Sequence, residues 1–293
     1  MRVRKAVQEI NEVKEDERKI AAFFDLDGTL MTLPSLERRF FRMLRYRGEI
    51  PTRNYLLWLR EALRLLPRGI GEALQANKMY LRAVDILEER GEGDRGVSPW
   101  YKGGHQADGQ ASAPRRRNPR LPVPAFFEQA IERMAWHAKH GHEIVLLSGT
   151  LGPLALEAGR AMEDKLATRG ITAKIHVCAT LLEEMGGKWT GRILGEAMFG
   201  EAKARAAKQL AGEMNLDLEL CCAYADSSND RWLLAAVGKP AAVNPSKDLL
   251  RIAQACGWPV LQWNGKGNRS PHGKESKAQR QCRMELASPE NAE

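Results

Sequence analysis

Acidic side chains follow two apolar runs of this sequence, and their spacing suits chemistry at a phosphate group. Asp25 and Asp27 follow the run 20–24, and Asp226 and Asp230 follow a later run. Because side chains two apart at a strand end point the same way, the first pair is predicted to lie close together. Clustered carboxylates repel one another unless a cation or a shared proton intervenes, and oxygen ligands suit Mg²⁺. One carboxylate could then attack phosphorus, while another transfers protons to the leaving oxygen and from water.

Other polar residues occupy comparable positions. Ser148 and Gly149 follow the apolar run 144–147, where a hydroxyl and free backbone N–H groups can hold phosphate oxygens. Lys203 stands at the start of a predicted helix and would add positive charge there. Each has a structural alternative: an ordinary turn for Ser148, a surface position for Lys203 and a helix cap for Asn229. The aspartates favour the functional interpretation of all three.

The composition is that of an ordinary globular protein. The chain has 293 residues, of which 28% are charged and 43% hydrophobic. No segment approaches the ~20 apolar residues that span a bilayer, and the charged N-terminus lacks the apolar centre of a signal peptide. The sequence therefore predicts a cytoplasmic protein. Its five cysteines form no CxxC pair, which favours buried reduced thiols over disulfides or zinc. His137 and His140, three residues apart, are predicted to be surface residues and not metal ligands.

The net charge of +8 raises the question of anionic partners. Much of the excess lies in two segments of low apolar content, one around residues 115–120 and the other from residue 266 onward. Solvated segments are the favoured interpretation, over contact with nucleic acid or membranes. The oligomeric state is left open by the sequence.

Alternating strand-like and helix-like segments predict an α/β fold, with a Rossmann-like, mostly parallel sheet and helices on both faces. Between the first strand and the next lies an inserted helical block. The predicted divisions are a charged N-terminal helix, a core in two pieces, the helical block, a disordered linker and a disordered tail, at residues 1–19, 20–32 with 121–264, 33–90, 91–120 and 265–293.

The bounds of several helices and strands are predicted from the periodicity of apolar residues and from the positions of Gly and Pro. The helical block is predicted to contain three helices, the third over Ala73–Glu89. Other predicted helices cover 124–140, 154–169, 201–214 and 230–237. Predicted strands cover 143–147, 173–178, 218–225 and 241–243, and a hairpin is predicted around 187–192.

The order of these motifs resembles the haloacid dehalogenase superfamily, and within it the branch of phosphoserine phosphatase. Its D-x-D-x-T motif is matched by Asp25, Asp27 and Thr29. Ser148 matches the hydroxyl after a second strand, and Lys203 matches a lysine on a later helix. The final acidic motif is matched by Asp226, Asn229 and Asp230. The resemblance covers about residues 20–245, apart from the linker.

That resemblance implies a role for each matched residue. Asp25 would be the nucleophile and Asp27 the general acid and base. Mg²⁺ would lie between Asp25, the Asp27 carbonyl and Asp226. Thr29, Ser148, Gly149 and Lys203 would bind phosphate, with Asn229 and Asp230 in support, and the inserted helices would form the cap that closes over the substrate.

The sequence departs from the phosphoserine phosphatases at two positions. Gly28 replaces the usual serine of their D-x-D-S-T motif, and Pro34 stands where they place a cap glutamate. Glu37, one helical turn later, is the candidate substitute. Phosphoryl chemistry is therefore predicted, whereas L-phosphoserine as the substrate is not.

Three functions remain open from the sequence. The favoured one is a Mg²⁺-dependent phosphatase that hydrolyses a phosphoserine-like small-molecule phosphomonoester through an aspartyl phosphate. A phosphotransferase on the same scaffold would pass the phosphoryl group to an alcohol. A non-enzymatic protein binding anions through its basic segments is the third hypothesis, in which Asp25 would have no role.

Overall fold

Short apolar runs form the central sheet of the protein, whose computed structural model describes residues 18–86 and 125–263. The predicted N-terminal helix therefore lies almost entirely outside the described residues, and the linker and tail lie wholly outside them. The described strands are β1 (Ala21–Phe24), β2 (Glu143–Leu151), β3 (Ile175–Thr180), β4 (Leu182–Met185), β5 (Lys188–Ile193), β6 (Cys222–Ala225), β7 (Lys239–Val243) and β8 (Val260–Leu261).

Six of these strands form one parallel sheet in the order β3-β2-β1-β6-β7-β8. The two remaining strands, β4 and β5, form the predicted hairpin. The described helices are α1 (Leu36–Tyr46), α2 (Arg53–Leu65), α3 (Ile70–Gln75), α4 (Glu128–Lys139), α5 (Gly152–Ala167), α6 (Glu201–Met214), α7 (Arg231–Ala235) and α8 (Lys247–Cys256).

Strand β1 is buried on both faces, as a central strand of a parallel sheet must be. Its residues alternate between two apolar clusters. Ala22 and Phe24 pack with residues of α4 and α5, whereas Ala21 and Phe23 pack with residues of α6, α7 and α8. Helices therefore cover both faces, and the predicted α/β fold is confirmed.

Residues 33–86 of the inserted block contain three α-helices, α1 to α3, and the prediction for the third was wrong. Helix α3 ends at Gln75, and the chain then forms a 3₁₀ turn at Met79–Leu81. Asn77 stops the helix because its side chain bonds to backbone groups, donating to Trp58 O at 2.8 Å and accepting from Met79 N at 3.2 Å. Residues 87–89 of that predicted helix lie outside the described range.

Elsewhere the elements are present with shifted bounds. Strand β2 continues through Ser148 to Leu151, and β6 begins only at Cys222 because residues 218–220 form a turn. Helix α8 and strand β8 were not predicted. Within the described ranges, every helix falls short of the length and apolar character needed to cross a lipid bilayer.

Candidate active site

Parallel pairing brings the chemically interesting residues to one edge of the sheet. Phe24 on β1 pairs with Leu146 on β2 and with Tyr224 on β6. Asp25 directly follows β1, and its N–H extends the ladder by donating to Tyr224 O at 3.0 Å. Asp226 directly follows β6. The carboxyl ends of neighbouring strands thus place acids from distant parts of the chain side by side, as in other open α/β sheets.

Three carboxylates form the centre of this edge. Asp25, Asp226 and Asp230 each offer one oxygen, and these oxygens lie within 4.8 Å of one another. Asp230 ends a 3₁₀ turn at Ser228–Asp230 that leads into α7, so a single turn returns it towards Asp226. Asp25 and Asp230 are both buried.

Lys203 is the cation that the described residues place in this cluster. It lies in the first turn of α6 and is 4% exposed, so the surface position considered from the sequence was wrong. Its Nζ donates to Asp25 Oδ1 at 2.5 Å and lies 2.7 Å from Asp230 Oδ1. Burial lowers the pKa of Lys203, but Asp230 and Asp25 more than offset that effect and the net pKa is raised. The ammonium is therefore charged at neutral pH.

One lysine does not balance the acids around it. Burial raises the pKa of Asp25, Lys203 opposes the rise, and the charge of Asp27 adds to it. Burial likewise raises the pKa of Asp226 to about 8, with Asp25 and Asp230 adding to the rise. It raises the pKa of Asp230 to about 6, although Lys203 opposes it. These shifts mean that burial and the neighbouring carboxylates disfavour the ionised forms more than Lys203 favours them.

The loop after β1 depends on Gly28 and Thr29. Gly28 has a φ of +87°, and a Cβ on it would lie 2.1 Å from Asp226 Oδ2. A glycine therefore lets the loop lie against the Asp226 carboxylate. The fully buried Thr29 has its Oγ1 3.5 Å from Asp25 Oδ2 and 3.4 Å from Asp226 Oδ1. Its hydroxyl thus lies between the two acids.

Asp27 is directed towards the inserted helices. Its Oδ1 accepts a hydrogen bond from the Leu36 N–H at 2.7 Å, at the first residue of α1. The close group of carboxylates contains Asp230 and not the Asp27 side chain. Burial raises the pKa of Asp27 to about 6, with the Leu36 hydrogen bond opposing and the charge of Glu37 adding to the rise. A carboxyl with this pKa can both give and take a proton near neutral pH.

Ser148 and Gly149 lie at the same sheet edge, two and three residues beyond Leu146 on β2. Ser148 is buried and its Oγ accepts from Thr150 N at 3.2 Å. Gly149 O accepts from Thr180 Oγ1 at 2.9 Å, and a Cβ on Gly149 would lie 3.3 Å from Met198 O. The buried Thr150 Oγ1 has no hydrogen-bond partner among the described residues.

Asn229 lies in the turn between Asp226 and Asp230. Its backbone N–H and its side-chain Nδ2 both lie 3.2 Å from Ser227 Oγ, which caps the turn. The capping role considered from the sequence therefore belongs to Ser227. Asn229 also lines the cleft described below.

A second buried ion pair lies on the side of the insertion, and sequence reasoning missed it. Lys78 is 2% exposed, and its Nζ contacts both oxygens of Glu37, at 2.6 and 2.7 Å. Tyr80 Oη donates to Glu37 Oε1 at 2.7 Å. Asn54 holds this segment by donating to Tyr80 O at 3.0 Å. No spacing in the sequence signals the pair, because its members lie 41 residues apart on separate elements.

A cleft of about 1440 Å³ separates the insertion from the core. From the insertion it is lined by side chains of α2, among them Arg60 and Arg64, and by Lys78. From the core it is lined by Asn229, by Trp232 of α7 and by residues that precede α6. A substrate in this cleft would contact both parts of the molecule.

The carboxylate group fits a divalent cation. Oxygen ligands lie about 2.1 Å from Mg²⁺, so ligands on opposite sides of the ion are about 4.2 Å apart. One oxygen from each of three aspartates within 4.8 Å needs only small rotations to reach that spacing. The raised pKa of Asp226 is the second indication: burial raises it and the charges of Asp25 and Asp230 add to the rise, and a bound cation would oppose both effects.

A comparison of the sequence with protein-family models identifies the family of this chain. The model for haloacid dehalogenase-like hydrolases matches residues 22–235. The chain belongs to this family. The matched range includes the aspartates, Ser148 and Lys203, and it excludes strand β7 and the elements that follow.

Individual relatives of this chain agree with the family match. A probable phosphatase of Mycobacterium tuberculosis is 33% identical over 148 residues, which are 49% of this chain and 46% of that protein. The chain thus spans about half the length of that relative. A phosphoserine phosphatase of the same organism is 28% identical over 242 residues, covering 82% of this chain and 70% of the relative. These matches confirm the resemblance to the phosphoserine phosphatase-like branch.

Among solved structures, a protein of unknown function from Bordetella pertussis Tohama I is similar over most of this chain. The two share 27% identity with a TM-score of 0.55, over 83% of this chain and 98% of that one. The agreement supports the overall fold described above.

Proposed function

We propose that the protein is a Mg²⁺-dependent phosphatase that hydrolyses a small-molecule phosphomonoester through an aspartyl phosphate on Asp25. The observation that carries the proposal is the convergence of Asp25, Asp226 and Asp230, with Lys203 bonded to two of them. Family membership and the phosphatase names of the relatives support the same reaction class.

In the first half-reaction a carboxylate oxygen of Asp25 attacks phosphorus, and the bond from phosphorus to the ester oxygen breaks. Asp27, whose pKa of about 6 lets it carry a proton, gives that proton to the departing oxygen. In the second half-reaction water attacks the phosphorus of the acyl phosphate. Asp27 takes a proton from the water, the bond between Asp25 and phosphorus breaks, and inorganic phosphate leaves.

Lys203 and the loop hydroxyls would bind the phosphoryl group. Lys203 already holds Asp25 through its Nζ, so its charge lies beside the reacting atoms. Ser148 and Gly149, together with Thr29, surround the same sheet edge and offer hydroxyl and backbone N–H donors. Preorganised donors of this kind stabilise charge that develops on the phosphoryl oxygens.

Asp25 and Asp226, with a carbonyl of Asp27, would hold the Mg²⁺ ion, and Asp230 would support Asp226 and Lys203. When bound, the ion supplies positive charge that neutralises the carboxylates and polarises the phosphoryl oxygens. The inserted helices would act as a cap, since Asp27 is hydrogen-bonded to the first residue of α1.

The identity of the leaving group is constrained by the ion pair between Glu37 and Lys78. Glu37 lies close enough to Asp27 to raise its pKa, so it borders the reacting centre. Its carboxylate is already bonded to Lys78 and Tyr80. A substrate with an ammonium group, such as phosphoserine, would have to compete with that lysine. We therefore propose an ester that lacks an ammonium group.

The test is hydrolysis of p-nitrophenyl phosphate by the full chain with Mg²⁺, with EDTA, and with Mg²⁺ restored. Asp25→Asn should lower turnover by at least about 10³-fold with an unchanged circular dichroism spectrum. The matched control is Asp164→Asn, which alters an exposed aspartate on α5 and should retain activity. Full activity of Asp25→Asn would overturn the mechanism. Product analysis with an added alcohol would reveal a phosphotransferase, because a new phosphate ester would form in place of inorganic phosphate.

A further inference from the structure

The outer face of α2 exposes a row of large apolar side chains. Leu56, Leu59 and Leu63 lie at positions i, i+3 and i+7 and therefore share one face of the helix. Leu66, in the turn after α2, and Ile70, the first residue of α3, are the next exposed large apolar residues along the chain. We call these five residues the leucine stripe; their exposures are 71% for Leu56, 51% for Leu59, 64% for Leu63, 49% for Leu66 and 69% for Ile70.

The stripe is separate from the face that attaches α2 to the protein. Asn54 and Leu65 are buried on the inner face, and Trp58 packs against the core cluster. The inner face alone attaches α2 to the rest of the protein, so the stripe is not needed for the insertion to fold. Contiguous exposed apolar surface of this kind marks an interaction site more often than singly exposed residues do.

Positive charge accompanies the stripe. Arg53, Arg60 and Arg64 lie along the adjoining face of α2, and all three are exposed. The acidic residue of the same helix, Glu61, is already bonded to Arg64, with Nε to Oε2 at 3.0 Å. Residues 36–86 contain eleven Lys and Arg against five Asp and Glu. An apolar row beside arginines is the pattern of helices that lie in the interface of an anionic bilayer.

The arginines beside the leucine stripe argue against two other occupants of this surface, a second copy of the protein and another segment of this chain. Two copies of α2 packed stripe to stripe would bring arginines of both copies together. Of the parts of this chain outside the described residues, 87–124 and 264–293 are net positive and so do not complement the arginines, and residues 1–17 carry a net charge of only −1, from four basic and five acidic side chains. An anionic partner fits better than either.

We propose that the leucine stripe docks the protein on an anionic lipid surface, with Leu56, Leu59 and Leu63 inserted among the acyl chains and the arginines at the headgroups. The same helix forms one wall of the cleft, which Arg60, Leu63 and Arg64 also line. Docking therefore brings the mouth of the cleft to the membrane.

The experiment measures binding and does not depend on catalysis. The full chain is sedimented with vesicles of phosphatidylcholine alone and with vesicles that also contain phosphatidylglycerol. Wild-type protein should pellet with the anionic vesicles, and high salt should weaken the binding because it screens the arginines. Leu56→Gln combined with Leu59→Gln should lower the bound-to-free ratio at least about tenfold, since each change removes apolar surface from the bilayer.

The matched control replaces two exposed apolar residues outside the stripe, Tyr46→Gln with Met185→Gln, which are 94% and 76% exposed in the wild type. This variant should bind vesicles as the wild type does. Glutamine keeps helix propensity at Leu56, Leu59 and Tyr46, and Met185 is an exposed residue at the end of β4. Both double variants should therefore retain p-nitrophenyl phosphate hydrolysis and an unchanged melting temperature. Wild-type protein that stays in the supernatant, or equal binding by the stripe variant, would refute the docking surface. A dimer that only the stripe variant loses, without vesicle binding, would assign the stripe to a second copy instead.

Discussion

At the scale of single residues, Lys203 determines whether the acidic cluster can be buried. Its Nζ lies 2.5 Å from Asp25 and 2.7 Å from Asp230, and both carboxylates are buried. Removing one partner of a buried ion pair leaves the other charges without compensation, which costs more than the pair itself contributes. The lysine thus serves both the fold and the proposed chemistry.

Lys203→Met should lower the free energy of unfolding by about 3 kcal/mol in EDTA, because two buried carboxylates lose their counter-ion. Urea denaturation measures the loss. Lys208→Met, which alters an exposed lysine of the same helix, should change stability by less than about 0.5 kcal/mol. The double variant Lys203→Met with Asp230→Asn should regain part of the stability but none of the phosphatase activity. Wild-type stability of the single variant would show that the cluster does not need the ammonium.

The ion pair between Lys78 and Glu37 permits a test of selectivity at the same scale. Lys78→Met frees the Glu37 carboxylate, so the ratio of kcat/KM for phosphoserine to that for p-nitrophenyl phosphate should rise about tenfold, equivalent to ~1.4 kcal/mol. The ratio normalises for any loss of folded protein. Adding Glu37→Gln to this variant should remove the gain, because the neutral amide does not attract an ammonium group. If wild-type protein already prefers phosphoserine, the proposed leaving group is wrong.

At the scale of elements, the sequence predicts what depends on local pattern. The apolar runs that precede Asp25, Ser148 and Asp226 identified the three strands that lead into the site, since a buried parallel strand needs continuous apolar residues, although β2 continues past Ser148 to Leu151. The prediction of the third inserted helix was wrong because Asn77 and Ala83 make tertiary contacts that hydrophobic periodicity does not reveal. Ala83 also has a left-handed backbone, with a φ of 61°. Burial of Lys203 likewise depends on contacts with residues far away in the chain.

Helix α4 supplies another such case. His137 was predicted to be a surface residue and is fully buried, so that prediction was wrong. Its Nε2 lies 2.9 Å from Tyr224 Oη on β6, and its Nδ1 lies 2.8 Å from Nδ1 of His142. Burial lowers the pKa of His137 well below its ordinary value, and the charge of His142 adds to the effect. Neutral His137 thus joins α4 to the sheet through its contact with Tyr224.

The contact between His137 and His142 predicts that the folding stability of the protein depends on pH. Burial lowers the pKa of His142 from 6.5 to about 4, so between these values the unfolded chain binds a proton that the folded chain does not. Folding stability therefore falls as pH drops from 6.5 towards 4. His142→Asn removes this contribution, so the stability of wild type relative to the variant should fall between pH 7.5 and 5 by about 1 kcal/mol, after allowance for partial exposure. Urea unfolding at both pH values measures it, and a constant difference would refute the assignment.

At the scale of the whole molecule, the site joins parts that fold from distant stretches of sequence. The carboxylates come from the ends of β1 and β6 and the lysine from α6, and Asn229, beside Asp230, also lines the cleft whose other wall is α2. In the folded protein these carboxylates lie close together and repel one another, which destabilises the folded state unless a cation binds between them. An ion that binds only the assembled cluster must then stabilise the entire fold.

Mg²⁺ should accordingly raise the melting temperature of the full chain, since binding to the native state alone contributes RT ln(1 + [L]/Kd), about 2.7 kcal/mol at a hundredfold excess over Kd. For a chain of this length that corresponds to an increase of several degrees. Asp226→Asn removes a candidate ligand and a negative charge together, so it should raise the melting temperature in EDTA and abolish the response to Mg²⁺. Asp164→Asn, at an exposed position on α5, should leave both values as in the wild type. Scanning calorimetry in EDTA and across a Mg²⁺ titration distinguishes these outcomes. A wild-type melting temperature that ignores Mg²⁺ would mean that the aspartates converge for a reason other than a cation.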